Sequence, residues 1–293
     1  MRRLPLVTVA DKLENAGWLD PAASWVARTV RTVLPTGLKD ILHGVPLGHP
    51  LHPLLIVVPL GAWSSAAALD VLPGNERAAR LLVGLGVLSA APTALAGAAD
   101  FSELDTEQQR TGVVHQASNV LALGLYAASW LARVRGGQGL GRALGFAGLA
   151  VTMAGGFLGG HLSYRQGAGV NRNEDLPEEV PPGWHALGPV DSFASGIPQP
   201  ARLGDVHLLV LKRTDGAADG AITVLADTCS HLGGPLHEGK LRREKDELCI
   251  VCPWHGSTFS VQSGEVVHGP ATAPQPRFAT RVRDGLLEVS LHG

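Results

Sequence analysis

Two short stretches near the C-terminal end carry metal-ligand side chains at close spacing: CSHLGGPL, with Cys229 and His231, and CPWHGSTF, with Cys252 and His255. Twenty residues separate His231 from Cys252. Two thiols and two imidazoles suit a tetrahedral zinc ion. They equally suit a [2Fe–2S] centre in which one iron takes two Cys and the other two His. The four residues alone leave both chemistries open. Gly233, Gly234 and Gly256 allow tight turns in these loops and leave backbone N–H groups free to aim at sulfur, which helps set a redox potential. Cys249 stands three before Cys252 but reads as a small apolar residue buried in a strand. Three cysteines do not make the even, spaced set of a secreted disulfide scaffold, so metal binding in a reducing compartment is the expectation.

Such loops need a rigid frame, and the sequence around them supplies short β-rich runs: HLLVLK, AITVLAD, ELCIVC and LLEVSL, separated by Gly, Asp and Pro. That pattern predicts a small all-β domain. Before it, the polar stretch RQGAGVNRNEDLPEEVPPGWH, with Pro181-Pro182-Gly183, marks a linker and domain boundary.

The N-terminal half is different in kind. Mean hydropathy over the chain is +0.14, and the apolar excess lies between about residues 53 and 163. Four stretches have the length and lack of charge of membrane spans: Leu54 to Leu72, Leu81 to Ala99, Thr111 to Ala132 and Ala143 to His161. They predict an all-α four-helix transmembrane bundle. Pro59 and Pro92 are tolerated kinks, and Gly-rich runs such as GGFLGG allow close helix approach. Asp70, near the end of the first span, is expected to reach the headgroups. Pro21 to Val33 reads as an amphipathic helix, with Trp25, Val26, Val30 and Val33 opposite Arg28 and Arg31. Arg2-Arg3 is at most a weak twin-arginine signal, because Asp11, Lys12 and Glu14 interrupt the apolar run behind it. A net charge of −2 offers no basic footprint for nucleic acid.

Following alternate crossings brings His49, His52, Asp100, His115 and His161 to one membrane face, with His115 and Asn119 on one side of a helix. Neutral imidazoles there can ligate haem b or a non-haem metal, hydrogen-bond a quinone, or sit among headgroups.

The loop pattern C-x-H-L-G with C-P-x-H-G-S-x-F resembles the Rieske family, and GPATAPQPRF from Gly269 is similar to that family's proline loop over the cluster. The resemblance spans about Trp184 to His292 and favours [2Fe–2S] over zinc. It implies that Cys229 and Cys252 bind the buried iron, and that His231 and His255 bind the outer one. High-potential respiratory members carry an extra, disulfide-linked cysteine in each loop and a tyrosine two residues after the serine; this chain has Gly234, Trp254 and Phe259 there. Ser257 is kept as a hydroxyl donor. The resemblance therefore implies a potential below the respiratory members, within the span of about −150 to +300 mV for such centres. HGVPLGHPLHP, HQASN and GGHLSYRQGAGV resemble a family of four-span bacterial membrane domains, DUF2231, over about Leu42 to Val170.

Together these readings divide the chain into an amphipathic helical segment (1–48), a four-span membrane domain (49–165), a linker (166–183) and a Rieske-type domain (184–293). The expected protein is a multi-pass protein of the bacterial inner membrane. Its β domain would be cytoplasmic and would carry single electrons between a redox protein partner and a membrane-side donor or acceptor. Alternatives are a membrane oxidoreductase with haem or quinone in the bundle, and a non-redox scaffold with a structural metal. Lys39, Arg110, Arg165 and Arg172 on one face balance Arg77, Arg80, Arg133, Arg135 and Arg142 on the other, so charge does not set orientation.

Overall fold

The computed structural model describes residues 5–214 and 221–291; Arg2 and Arg3 lie outside them. The chain divides into two compact units, one of residues 1–38 and 50–168, the other of Lys39–His49 with Gly169–Gly293.

The first unit is helical: α1 (Pro5–Glu14), α2 (Asp20–Val33), the start of α3 (Thr36–His43), α4 (Leu51–Leu55), α5 (Val57–Val71), α6 (Glu76–Ser102), α7 (Thr106–Val134) and α8 (Gln138–Tyr164). Three stretches are long and apolar enough to cross a membrane: Leu51–Val71, Glu76–Ser102 and Gln138–Tyr164. Leu81, Leu85, Leu88 and Leu95 of α6 are exposed, an apolar surface that suits lipid better than water. The fourth expected span lies in α7, a helix of 29 residues that does not meet the same apolarity.

Packing explains the polarity of α7. Its large side chains fill glycine notches on α8 in strict antiparallel order. His115 stands at Gly159, Asn119 at Gly155, Tyr126 at Gly148 and Arg133 at Gly141, where an added Cβ would come within 3.1, 2.8, 3.0 and 2.5 Å of them. The spacings of four, seven and seven match on both helices, so one stripe of α8 is cut to receive one stripe of α7. Tyr126 also stacks on Trp63, with ring centroids 4.0 Å apart.

Asp70 does not reach outward as expected. It accepts two hydrogen bonds from Arg133, at 2.7 and 2.5 Å, and both side chains are buried. A carboxylate and a guanidinium at helix ends satisfy each other in a geometry that single-residue reading could not pair. The opposite end of α7 is held by a capping box, in which the Asp105 side chain accepts from Gln108 N and Gln108 Oε1 from Asp105 N.

The second unit carries α9 (Leu176–Glu179) and ten strands: β1 (His185–Pro189), β2 (Gln199–Leu203), β3 (Val206–Lys212), β4 (Ile222–Ala226), β5 (Lys240–Glu244), β6 (Glu247–Val251), β7 (Thr258–Ser260), β8 (Val266–His268), β9 (Arg277–Arg283) and β10 (Leu286–Ser290). They form an antiparallel six-stranded sheet, β1-β10-β9-β4-β3-β2, and a four-stranded sheet, β5-β6-β7-β8. The run HLLVLK is continuous rather than alternating because β3 is buried on both faces. Leu208 and Val210 join Val224, Phe278, Leu287, Leu176 of α9 and Val180 just after it on one face. Leu209 and Leu211 join Leu225, Ile250, Phe259 and Val261 on the other, and this core reaches Cys229 and Cys252.

Candidate metal centre

Three loops carry the site, and each is anchored in a sheet. The first joins β4 to β5 and holds Cys229 and His231; the second joins β6 to β7 and holds Cys252 and His255; the third, residues 269–276, joins β8 to β9. Gly233 and Gly256 take positive φ, 81° and 77°, which lets the first two loops turn back on themselves. The turns close with Gly233 N to Cys229 O at 2.9 Å and Gly256 N to Cys252 O at 3.2 Å.

The loops bring the four ligand-type residues together. The Cys229 and Cys252 thiols hydrogen-bond each other, and the His231 and His255 rings stand edge to face with centroids 5.2 Å apart. Both cysteines are buried, at 1% and 4% exposure, while both histidines are half-buried. The backbone N–H groups of His231 and Leu232 donate to the Cys229 sulfur, and those of Trp254 and His255 to the Cys252 sulfur. The hydrogen bond from Cys229, aided by those N–H groups, pulls the Cys252 thiol down to about 7, against burial. The same thiol pair and burial push Cys229 well up. Burial first, then the nearby His255, His43 and Arg172, brings His231 down to about 3, so its imidazole is neutral and available as a ligand.

The donor set fits a [2Fe–2S] cluster: thiols on the core side, neutral imidazoles on the outer side, and N–H groups already directed at sulfur. The space before the second thiol is kept by glycine. A Cβ on Gly234 would lie 2.8 Å from Cys252 Sγ and 3.0 Å from the Trp254 ring. All three cysteines are free thiols. Cys249 sits in β6 opposite Ser260, fully buried, its thiol raised chiefly by burial.

The third loop is tied to the first two by Ser257, which the sequence marks as a hydroxyl donor, and by Ser230 and Gln275, which sequence reading did not single out. Ser257 Oγ accepts from Ala271 N at 3.0 Å. Gln275, 1% exposed, accepts from Ser230 N and donates to the carbonyls of Ala226 and Thr228, and Ser230 Oγ donates to Ala273 O. Two further segments join the site. Arg172 N donates to Ser230 O and Asn173 Nδ2 to Thr228 O. From Lys39–His49, Asp40 accepts from Gly269 N at 3.0 Å and pairs with His268 Nδ1 at 2.8 Å, while His43 and Val45 stand against Gly269. Nothing in the local pattern of TGLKDILHGV announces a partner over 200 residues away.

The helical histidines each take a hydrogen-bond partner of their own. His52 Nδ1 donates to Thr93 O at 3.0 Å with its ring against Gly97; His115 Nδ1 donates to Gly155 O at 2.8 Å, and its Nε2 accepts from Asn119 at 3.0 Å. His161 Nε2 faces Glu14. Asp100 lies in the last turn of α6, and His49 belongs to the other unit.

Residues 183–279 match the family model of the Rieske [2Fe-2S] domain, and residues 48–172 that of a predicted membrane protein family, DUF2231. The oxygenase component of 3-ketosteroid-9-alpha-monooxygenase from Mycolicibacterium smegmatis is 32% identical over 120 residues, covering 39% of this chain and 29% of that protein. The chain thus spans under a third of that relative's length. The ferredoxin subunit of anthranilate 1,2-dioxygenase from Burkholderia cepacia is 28% identical over 108 residues, 37% of this chain and 92% of the subunit. Among solved structures, a complex of reduced oxygenase and oxidised ferredoxin in carbazole 1,9a-dioxygenase contains a chain that is 26% identical, matched over 36% of this chain and all of that one, with a TM-score of 0.30. The β domain is therefore homologous to the ferredoxin subunits of dioxygenases, with a [2Fe–2S] cofactor and an electron-transfer role. Through its C-terminal domain the chain belongs to the Rieske [2Fe-2S] proteins, and its helical region matches the DUF2231 membrane-protein model.

Proposed function

We propose that this protein is a membrane-anchored Rieske electron carrier that passes single electrons between a redox protein and a donor or acceptor at the membrane. Cys229 and Cys252 hold the inner iron, and His231 and His255 the outer. The observation that carries this is the split of the donor set, with two hydrogen-bonded thiols against the core and two edge-to-face imidazoles on the half-buried side. A bound [2Fe–2S] cluster supplies a one-electron couple. The protein's own contribution is to fix the ligand loops, aim N–H groups at sulfur and leave the imidazole side as the shortest path to a partner. Trp254, 57% exposed beside His255, offers an aromatic anchor at that edge. Ser257 Oγ accepts from Ala271 N and keeps its own O–H to donate, while Phe259 stands where a hydroxyl-bearing ring would be, so one donor fewer stabilises the reduced state. This supports a potential below the respiratory members. We place the cluster domain on the cytoplasmic side, since a folded cluster domain elsewhere needs a dedicated export route.

The test is an oxidised-minus-reduced visible spectrum and low-temperature EPR on the full chain in detergent. Broad bleaching with a Rieske-type signal is expected, and a colourless, zinc-containing protein would overturn the reading. His255→Cys should keep an iron–sulfur spectrum and lower the potential by on the order of 100 mV, because thiolate adds negative charge; an unchanged potential removes His255 from the ligand set.

A second reading rests on His52. Its Nδ1–H is used by Thr93 O, which leaves the Nε2 lone pair to serve a haem iron or a quinone in the bundle. Sharp haem bands, or quinone extracted in stoichiometric amount, would select it.

A further inference from the structure

Away from the cluster loops, the helical unit gathers a second set of ligand-type side chains. Asp11 and Glu14 are three residues apart on one face of α1. His161 lies in the last turn of α8, with its side chain 3% exposed and its Nε2 2.6 Å from Glu14 Oε1. One ligand atom from each of Asp11, Glu14 and His161 lies within 4.8 Å of the other two. Nothing in the sequence joins these residues, since 147 positions separate Glu14 from His161.

The same place opens into a cavity of about 460 Å³ bordered by Asp11 and Glu14 and, at the start of α7, by its N-cap Asp105 and by Glu107. Four carboxylates face one guanidinium, that of Arg165. Arg165 pairs with Asp11 at 3.3 Å, but its side chain is 56% exposed, so it can leave without crossing the core. Independently of these charges, Gln166, which also lines the cavity, has its Oε1 shielded from solvent with no hydrogen-bond partner. A buried acceptor oxygen without a donor is costly unless a donor or a cation faces it.

We propose that Asp11, Glu14 and His161 form a divalent metal site, with Gln166 Oε1 as a neutral acceptor for the ion or for its bound water. One imidazole with two carboxylates suits a borderline transition ion, zinc, manganese or ferrous iron, better than magnesium or calcium, which favour all-oxygen shells. The ion would clamp α1 to the end of α8, joining an N-terminal helix that lies outside the DUF2231 match to the bundle. The site is separate from the cluster ligands and does not depend on the electron-carrier reading.

The experiment uses the full, cluster-loaded chain in detergent, titrated with Mn²⁺ and followed by the loss of the free-ion EPR signal. Zn²⁺ competition is measured on the same samples. The expected result is one Mn²⁺ per chain, displaced by Zn²⁺, with the cluster spectrum unchanged. Glu14→Gln and Asp11→Asn, both on the partly exposed α1, should each weaken binding at least tenfold while leaving helix content and cluster intact. His161→Gln should abolish binding, and if that variant fails to fold the two α1 variants decide alone. Absence of stoichiometric binding by either ion, or equal affinity in wild type and Glu14→Gln, overturns the site.

Discussion

The β domain and the helical unit hold their polar chemistry in opposite ways. In the β domain, ligand-type residues sit on loops at fixed short spacing, and two sheets carry those loops to one place. In the helical unit, charged and imidazole groups sit singly on long helices and find partners on other helices: Asp70 with Arg133, Glu14 with His161, Asp20 with Arg110. The difference teaches that a loop motif announces its function within a dozen residues, whereas a helical site is assembled by packing and is invisible until the helices are registered against one another.

If that contrast holds, changes in one unit should leave the other intact. The largest expected effect is Cys252→Ser, which should abolish the visible cluster absorbance while helical circular dichroism persists. Cys249→Ala, three residues away, should keep the spectrum, because Cys249 is a strand residue outside the thiol pair. Loss of the cluster in Cys249→Ala would break the assignment.

Arg133→Leu comes next. It leaves Asp70 as a buried carboxylate without its bidentate partner, a change worth about 3–5 kcal/mol, read as thermal destabilisation of the helical signal with the cluster spectrum unchanged. Equal stability would mean that Asp70 is solvated rather than paired. Gly155→Leu tests the notch on α8. An added Cβ already meets Asn119 Oδ1 at 2.8 Å, so overpacking by about 1–3 kcal/mol is expected, again confined to the helical unit.

Asp40→Ala is the most local change and the sharpest probe. It removes the acceptor for Gly269 N and the partner of His268, a loss of about 1–3 kcal/mol local to the third loop. Faster amide exchange at Gly269 and Ala271, with the cluster still bound, is the expected readout. Unchanged exchange would show that Ser257 and Gln275 hold that loop by themselves.

Much of the β domain was legible in sequence. The two Cys/His loops, the glycine turns and the strand runs all depend on contacts within a few residues, where residue type and spacing suffice; the stretch read as a linker packs Leu176 and Val180 into the β core instead. What escaped notice there was Gln275, a polar residue in a proline-rich loop whose hydrogen bonds reach back 45 to 49 positions, and Asp40, which comes from a distant segment. In the helical unit the lengths and apolar character of three spans were legible. The polarity of α7 was not understood as a packing face, because its meaning lies in glycines on α8. Nor was Asp70 seen as anything but a headgroup contact. The histidine set drawn from alternating crossings put like residues at like depths, but depth does not specify partners. His161 meets a carboxylate of α1, and His52 and His115 meet backbone carbonyls.

The sequence by itself determined the Cys–His loop pattern, the β character of the domain that carries it and the apolar helices before it, because each is a property of local spacing and composition. Only the tertiary structure decided which thiols touch, which carboxylate neutralises Arg133, that α7 fits α8 residue against glycine, and that Asp11, Glu14 and His161 meet. Those are pairings between segments tens to hundreds of residues apart, and burial and close packing select them only once the chain has folded.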